Sequence, residues 1–168
     1  MSDFDDFASG GGPDDAPSSA HRVVDHDQVG PYARQVSRFV IDAPTLLHIV
    51  VERVQVERQH QLVAPNLIRS QALSLLLDAV RRGDITEQVA FQRHERLTEM
   101  KMRLLGDRVS RRTAWKIALD QGWESTFDAE YIAVAKLQAD ALVTIDPALA
   151  AKATGLVPLA PVEALGES

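Results

Sequence analysis

From residue 38 onward the chain alternates short apolar runs with longer segments in which apolar side chains recur every three or four positions. Short apolar runs predict the buried strands of a parallel sheet, and the longer segments predict amphipathic helices that pack against it. The predicted strands span residues 38–42, 62–64, 100–104, 141–146 and 156–159. This alternation predicts an α/β fold.

Proline, glycine and capping residues set the limits of the predicted helices. Pro65 suits the first position of a helix that Gly83 ends, and Asp84-Ile-Thr-Glu87 resembles a capping box that opens the next one. Gly122 closes a later helix. The predicted helices span residues 44–57, 65–82, 84–99, 109–121 and 126–138, and a short helix begins at Pro147.

The length of 168 residues predicts one compact domain, and the absence of cysteine excludes disulfides, thiolate metal sites and thiol nucleophiles. Residues 1–35 are poor in apolar side chains, so we expect a disordered acidic tail there. We expect the domain over 36–162 and a C-terminal tail over 163–168. No apolar run approaches the roughly 20 residues of a membrane-spanning helix. The N-terminus lacks a signal-peptide pattern, so we expect a cytoplasmic protein with no membrane contact.

The net charge of −6 is concentrated at one end of the chain. Residues 1–30 hold seven acidic residues against one arginine, whereas the rest of the chain is neutral. Within that neutral part, residues 81–116 hold ten basic residues against five acidic ones. A polyanion therefore has a basic region to bind. The same basic residues would also suit a solvated helix face.

Two predicted strands end in an aspartate where the chain passes into a helix, at Asp42 and Asp146. In an open parallel sheet this position is the ligand crevice. Asp128 lies near the start of a predicted helix, and Gln71 is the only strongly polar residue on an otherwise apolar helix face. Each has a purely structural interpretation as well: the aspartates stabilise helix N-termini, and Gln71 is a core amide bonded to backbone.

Three carboxylates in one crevice would repel each other unless a cation lay between them. Oxygen ligands select a hard ion, so Asp42, Asp128 and Asp146 predict a site for Mg²⁺ or Mn²⁺ rather than Zn²⁺. The five histidines show no ligand spacing, and the chain has neither a Gly-rich phosphate loop nor a Gly-x-Ser-x-Gly turn. Thr144 is placed to hydrogen-bond a carboxylate, or is an ordinary β-branched strand residue.

The chain resembles a PIN domain of the kind found in VapC toxins of bacterial toxin–antitoxin pairs. The resemblance covers residues 38–160, and four segments in the family's order carry it. They are Phe39-Val-Ile-Asp42-Ala-Pro-Thr-Leu-Leu47, Leu62-Val-Ala-Pro-Asn-Leu-Ile-Arg-Ser-Gln71-Ala, Thr126-Phe-Asp128-Ala-Glu-Tyr131 with Ala133-Val-Ala135, and Leu142-Val-Thr-Ile-Asp146.

The resemblance implies a three-layer α/β/α domain with a central parallel sheet, whose acidic cluster binds Mg²⁺ or Mn²⁺ and hydrolyses RNA phosphodiester bonds. Asp42, Asp128 and Asp146 match the family's acidic catalytic residues. Gln71 stands where the family has a glutamate, and Pro44 replaces a small hydroxyl residue. Because the amide lacks a negative charge, we expect weaker metal binding at a site built from these residues.

Two functions are compatible with these residues. The first is a metal-dependent ribonuclease of VapC type, in which the RNA backbone is contacted by Arg108, Arg111, Arg112 or Lys116. The second is a catalytically degenerate PIN-like domain that acts as an RNA-binding or protein-interaction module, which Gln71 favours. A receiver-like or Rossmann-like regulator would share the sheet but does not explain residues 126–131. The resemblance also implies a small antitoxin partner and a homodimer.

Overall fold

The computed structural model describes residues 36–166 and contains a five-stranded sheet in which all neighbouring strands are parallel. The strands are β1 (Arg38–Ile41), β2 (Gln61–Pro65), β3 (Arg103–Leu105), β4 (Ala141–Val143) and β5 (Leu159–Ala160). Their order across the sheet is β3-β2-β1-β4-β5. Since β1 and β4 are parallel neighbours, the residues that follow them lie side by side at the carboxyl edge of the sheet.

Six α-helices and a closing 3₁₀ turn complete the described part of the chain. The helices are α1 (Ala43–Glu52), α2 (Ile68–Arg81), α3 (Glu87–Glu99), α4 (Arg108–Gln121), α5 (Phe127–Gln138) and α6 (Pro147–Ala153). Helix α5 packs on β1, β2 and β4 and also on α4, whereas α1 packs on α2 and α3. The predicted α/β fold with a central parallel sheet is confirmed. Between residues 36 and 166, no helix is both long and apolar enough to cross a membrane.

Two predicted helix starts are wrong, because Pro65 belongs to a strand and because another residue caps α3. Pro65 does not begin α2 but ends β2, where it pairs with Leu105 of β3. Helix α3 is capped by Thr86, whose hydroxyl accepts the Val89 N–H at 3.2 Å, so Asp84 is not its capping residue. Strand pairing thus delays the start of α2 to Ile68, and capping by Thr86 delays the start of α3 to Glu87.

Several other helices and strands are also shorter than predicted. Helix α1 stops at Glu52 because Arg53 adopts a left-handed backbone conformation, with φ of 55°. Strand β4 ends at Val143, before Thr144 and Asp146, and β3 and β5 begin three residues later than predicted. The aspartate after β4 therefore lies in a short connection rather than in the strand.

Helix α5 is buried along most of its length and fixes the position of its own N-terminus. Residues 131–135 are all buried, and the fully buried set includes Ile132 and Ala133. The end of the described chain is also packed: Leu165 is buried, and its carbonyl accepts the Glu57 N–H at 2.9 Å. Residues 163–166 thus belong in part to the packed domain. The predicted acidic tail over 1–35 lies outside the described residues, as do residues 167 and 168.

Candidate active site

Asp42 is a buried carboxylate at the point where β1 passes into α1. One of its oxygens accepts the Thr45 N–H at 3.0 Å, which caps α1. The other accepts the Thr144 hydroxyl at 2.6 Å, which is the first of the two interpretations that the sequence left open for Thr144. The same Thr144 oxygen accepts the Asp146 N–H at 3.0 Å, so one hydroxyl links the two strand-end aspartates.

Burial raises the pKa of Asp42 above its ordinary value. Hydrogen bonds from Thr144 and Thr45 lower this pKa, and the negative charge of Asp146 raises it. Because the pKa is higher in the folded than in the unfolded protein, ionisation of Asp42 opposes folding. This cost is absent below the unfolded pKa and complete above the folded one. At neutral pH the ionised Asp42 side chain therefore lowers the free energy of unfolding.

The variant Thr144→Val should raise the pKa of Asp42 further, because the carboxylate loses a hydrogen bond that favours its charged form. At neutral pH the variant should be less stable by about 2 kcal/mol, the typical value of a hydrogen bond to a charged group. The deficit should shrink as the pH falls and Asp42 becomes protonated. The pKa can be followed by carbon NMR of the carboxyl group, with Thr144→Ser as a control that keeps the hydroxyl. An unchanged pKa in the valine variant would contradict this prediction.

The predicted site residues from three parts of the chain line one open cleft of about 470 Å³. Asp42 follows β1, Asp146 caps α6, and Asp128 lies in the first turn of α5. Gln71 of α2 also lines the cleft, together with apolar residues such as Leu75. The lining residues are Asp42, Ala43, Pro44, Leu67, Ser70, Gln71, Ser74, Leu75, Phe127, Asp128, Tyr131, Asp146 and Leu149.

Asp128 is paired with a cation of this chain. The ammonium group of Lys152 lies 2.5 Å from an Asp128 carboxylate oxygen, and the side chains are 39% and 35% exposed, respectively. The same ammonium group lies 5.1 Å from the centroid of the Trp123 ring. A partly exposed ion pair of this kind contributes at most about 1 kcal/mol. Lys152 therefore neutralises Asp128 without locking it in place.

Gln71 is held by a buried tyrosine. The Tyr131 hydroxyl donates to the Gln71 side-chain oxygen at 2.6 Å. Burial, followed by the negative charge of Asp42, raises the pKa of Tyr131, so its hydroxyl stays protonated and remains a donor. The hydrogen-bond partner of the Gln71 side chain is thus the Tyr131 side chain and not a backbone group.

The donor atoms at the cleft fit a hard cation only in part. Among residues 36–166, no three His, Cys, Asp or Glu side chains are grouped so that they could hold a metal ion. Asp42 and Asp146 remain as carboxylates without a cationic partner among the described ion pairs. Magnesium in phosphoryl-transfer sites is often held by one or two carboxylates together with water and substrate phosphate. Two carboxylates fit this mode, and the shared site of Asp42, Asp128 and Asp146 stays a prediction.

The four predicted RNA-binding residues lie on α4 and do not line the cleft. Arg108, Arg111, Arg112 and Lys116 are all exposed. Arg111 lies beside Glu130, whose pKa is raised by burial and lowered by the arginine charge. Their role in RNA binding stays a prediction.

Sequence reasoning did not find two side chains that shape the cleft. Lys152 lies six residues after Asp146 on α6, and no motif marks it as the partner of Asp128. Tyr131 is part of the segment that carries the family resemblance, but its bond to Gln71 depends on how α5 packs beside α2. The polar character of Gln71 on an apolar face was the one signal that it needed a partner.

Comparisons with known proteins give a structural likeness alone. No protein-family model matches the chain, and no curated protein matches its sequence. PAE2754 from Pyrobaculum aerophilum matches with a TM-score of 0.61 and 23% identity, over 78% of this chain and 93% of that one. VapBC-1 from nontypeable Haemophilus influenzae matches with a TM-score of 0.50 and 16% identity, over 74% and 98%. The predicted PIN/VapC-like fold is confirmed.

Proposed function

We propose that the chain is a ribonuclease that depends on Mg²⁺ or Mn²⁺ and hydrolyses RNA phosphodiester bonds in the cleft. The observation that supports this proposal best is that Asp42, Asp128 and Asp146 come from three separate elements and line one cleft. The cleft lies at the carboxyl edge of a parallel sheet, where α/β proteins bind their ligands.

Asp42 and Asp146 would hold the ion, and Asp128 would join them if Lys152 turned toward the substrate. A bound ion of this type makes water a better nucleophile and offsets the charge that develops on the phosphate. Thr144 keeps the Asp42 carboxylate oriented, and Lys152 offers a positive charge to a phosphate oxygen. Gln71 contributes a neutral oxygen in place of a charge, so we expect metal binding to be weak without RNA.

The binding partners are part of the same proposal. RNA is the substrate, and Arg108, Arg111, Arg112 and Lys116 contact its backbone. A small antitoxin protein and a second copy of this chain are further partners, supported by the similarity to the VapBC-1 structure. A cytoplasmic location accords with these partners.

Cleavage of a labelled, structured RNA during a Mn²⁺ titration tests the proposed function. We expect cleavage that rises with Mn²⁺, stops on chelation and is lost in Asp146→Asn. The matched control is Asp140→Asn, which removes an exposed aspartate outside the cleft. Cleavage that persists in Asp146→Asn would contradict the proposal.

A second function is favoured by two contacts in the cleft. Tyr131 holds Gln71, and Lys152 neutralises Asp128, so these two side chains have partners without a metal ion. A PIN-fold module that binds RNA or protein without cleaving would have this arrangement. Failure of the parent chain to cleave at any Mn²⁺ concentration, with activity gained in Gln71→Glu, would establish this second function.

A further inference from the structure

A second groove of about 380 Å³ adjoins the cleft and is lined by exposed aromatic side chains. Trp115 of α4 is 66% exposed and Phe127 at the start of α5 is 58% exposed. Trp123 lines the groove between them, and Phe127 also lines the cleft. The groove and the cleft therefore adjoin at Phe127, whose side chain lines both.

Polar groups surround the aromatic rings of this groove. Glu124, Ser125 and Thr126 line it together with the three aromatic residues and with Ala118 and Leu119. A carboxylate and two hydroxyls can accept or donate hydrogen bonds at the edge of a nucleobase, while the rings cover its faces. Flat, exposed aromatic surfaces with polar groups at their margin are typical of sites that bind single-stranded nucleic acid.

The charges beside the groove suit a polyanion. Helix α4 exposes Arg108, Arg112 and Lys116. Their four-residue spacing places them on the side of the helix that also carries Trp115. From the N-cap of α4 to the start of α5, over residues 107–128, the acidic residues are Asp107, Asp120, Glu124 and Asp128. At the other end, Lys152 lies against Trp123 and Asp128, where the groove meets the cleft. Positive charge thus lies at the α4 end of the rings, whereas at the other end Asp128 balances Lys152 until the lysine turns toward a phosphate.

We propose that this groove is a stacking subsite for a nucleobase of single-stranded RNA whose adjoining phosphate lies in the cleft. The inference rests on the proposed action on RNA and adds the element that binds the base. A base next to the phosphate in the cleft meets Phe127 first, and the next base reaches Trp115. The subsite selects unpaired RNA, because bases in a duplex are already stacked on each other.

Binding of a fluorescent decauridine RNA to the full chain in the presence of EDTA tests the subsite, since chelation prevents metal-dependent cleavage. Trp115→Ala should weaken binding about tenfold, because stacking on an aromatic ring contributes that much per base. Trp115→Phe should retain most of the affinity. A probe of the same length without bases should bind the parent and Trp115→Ala equally, because it cannot stack.

The matched control is Phe91→Ala, which removes a ring that is 57% exposed on α3 and lines neither the cleft nor the groove. It should leave decauridine affinity unchanged. Unchanged decauridine affinity in Trp115→Ala would overturn the subsite. A groove that binds a protein partner instead of RNA would give this result. Equal loss of affinity for the baseless probe would also overturn it. Absence of cleavage in the Mn²⁺ titration would overturn the ribonuclease function alone.

Discussion

The variant Asp42→Asn should lose RNA cleavage by on the order of a hundredfold or more while gaining stability at neutral pH. The loss follows because Asp42 is one of two carboxylates in the cleft that have no cationic partner among the described ion pairs, and an amide cannot replace its charge at a cation. The gain in stability follows because burial raises the pKa of Asp42, so its ionised form opposes folding.

The pH dependence separates this explanation from a general packing effect. Asparagine also caps helices, so α1 keeps its first turn in the variant. The difference in thermal unfolding temperature between variant and parent should be largest at neutral pH and vanish as the pH falls below the pKa of an aspartate in an unfolded chain, about 4. Asp140→Asn, which removes an exposed aspartate outside the cleft, is the matched control for activity. A variant that cleaves RNA at the parent rate would contradict the role given to Asp42.

The variant Gln71→Glu should raise the apparent affinity for Mn²⁺ on the order of tenfold, since it adds a full negative charge to a cleft that already holds three aspartates. The geometry favours the exchange, because Tyr131 already donates to the oxygen that glutamate retains. Cleavage at limiting Mn²⁺ should rise with the affinity.

Stability gives a readout of this variant that does not depend on cleavage. Without metal, the added carboxylate repels its neighbours and should lower the unfolding temperature; Mn²⁺ should restore it. The control Ser74→Glu places the same charge one helical turn further along the cleft, away from the Tyr131 hydroxyl. We expect a smaller Mn²⁺ response there. Equal responses would show that general charge, rather than position 71, governs metal binding.

The sequence was sufficient to predict the sheet and the cleft because both depend on local patterns. An apolar run that ends in aspartate marks a strand that passes into a helix, and this occurs at both Asp42 and Asp146. Parallel pairing of β1 and β4, with Ile41 opposite Val143, then brings Asp42 level with Thr144 and places Asp146 two residues further along the same edge. Thr144 was also predictable, since its position two residues before Asp146 brings its hydroxyl to the same edge.

Contacts between distant elements could not be predicted in this way. The pairing of Lys152 with Asp128 depends on the packing of α6 beside α5, which no local pattern specifies. The aromatic groove was missed for a similar reason: Trp115 and Phe127 belong to different helices and share a surface only once α4 packs on α5. Pro65 was assigned to a helix because a proline suits either the start of a helix or the end of a strand.

Anomalous X-ray diffraction from crystals of the full chain with Mn²⁺ and RNA would locate the ion directly. The proposed function predicts one Mn²⁺ in the cleft, bonded to the carboxylates of Asp42 and Asp146. A cleft without Mn²⁺, at a concentration at which the same protein cleaves RNA, would contradict the proposed catalytic centre.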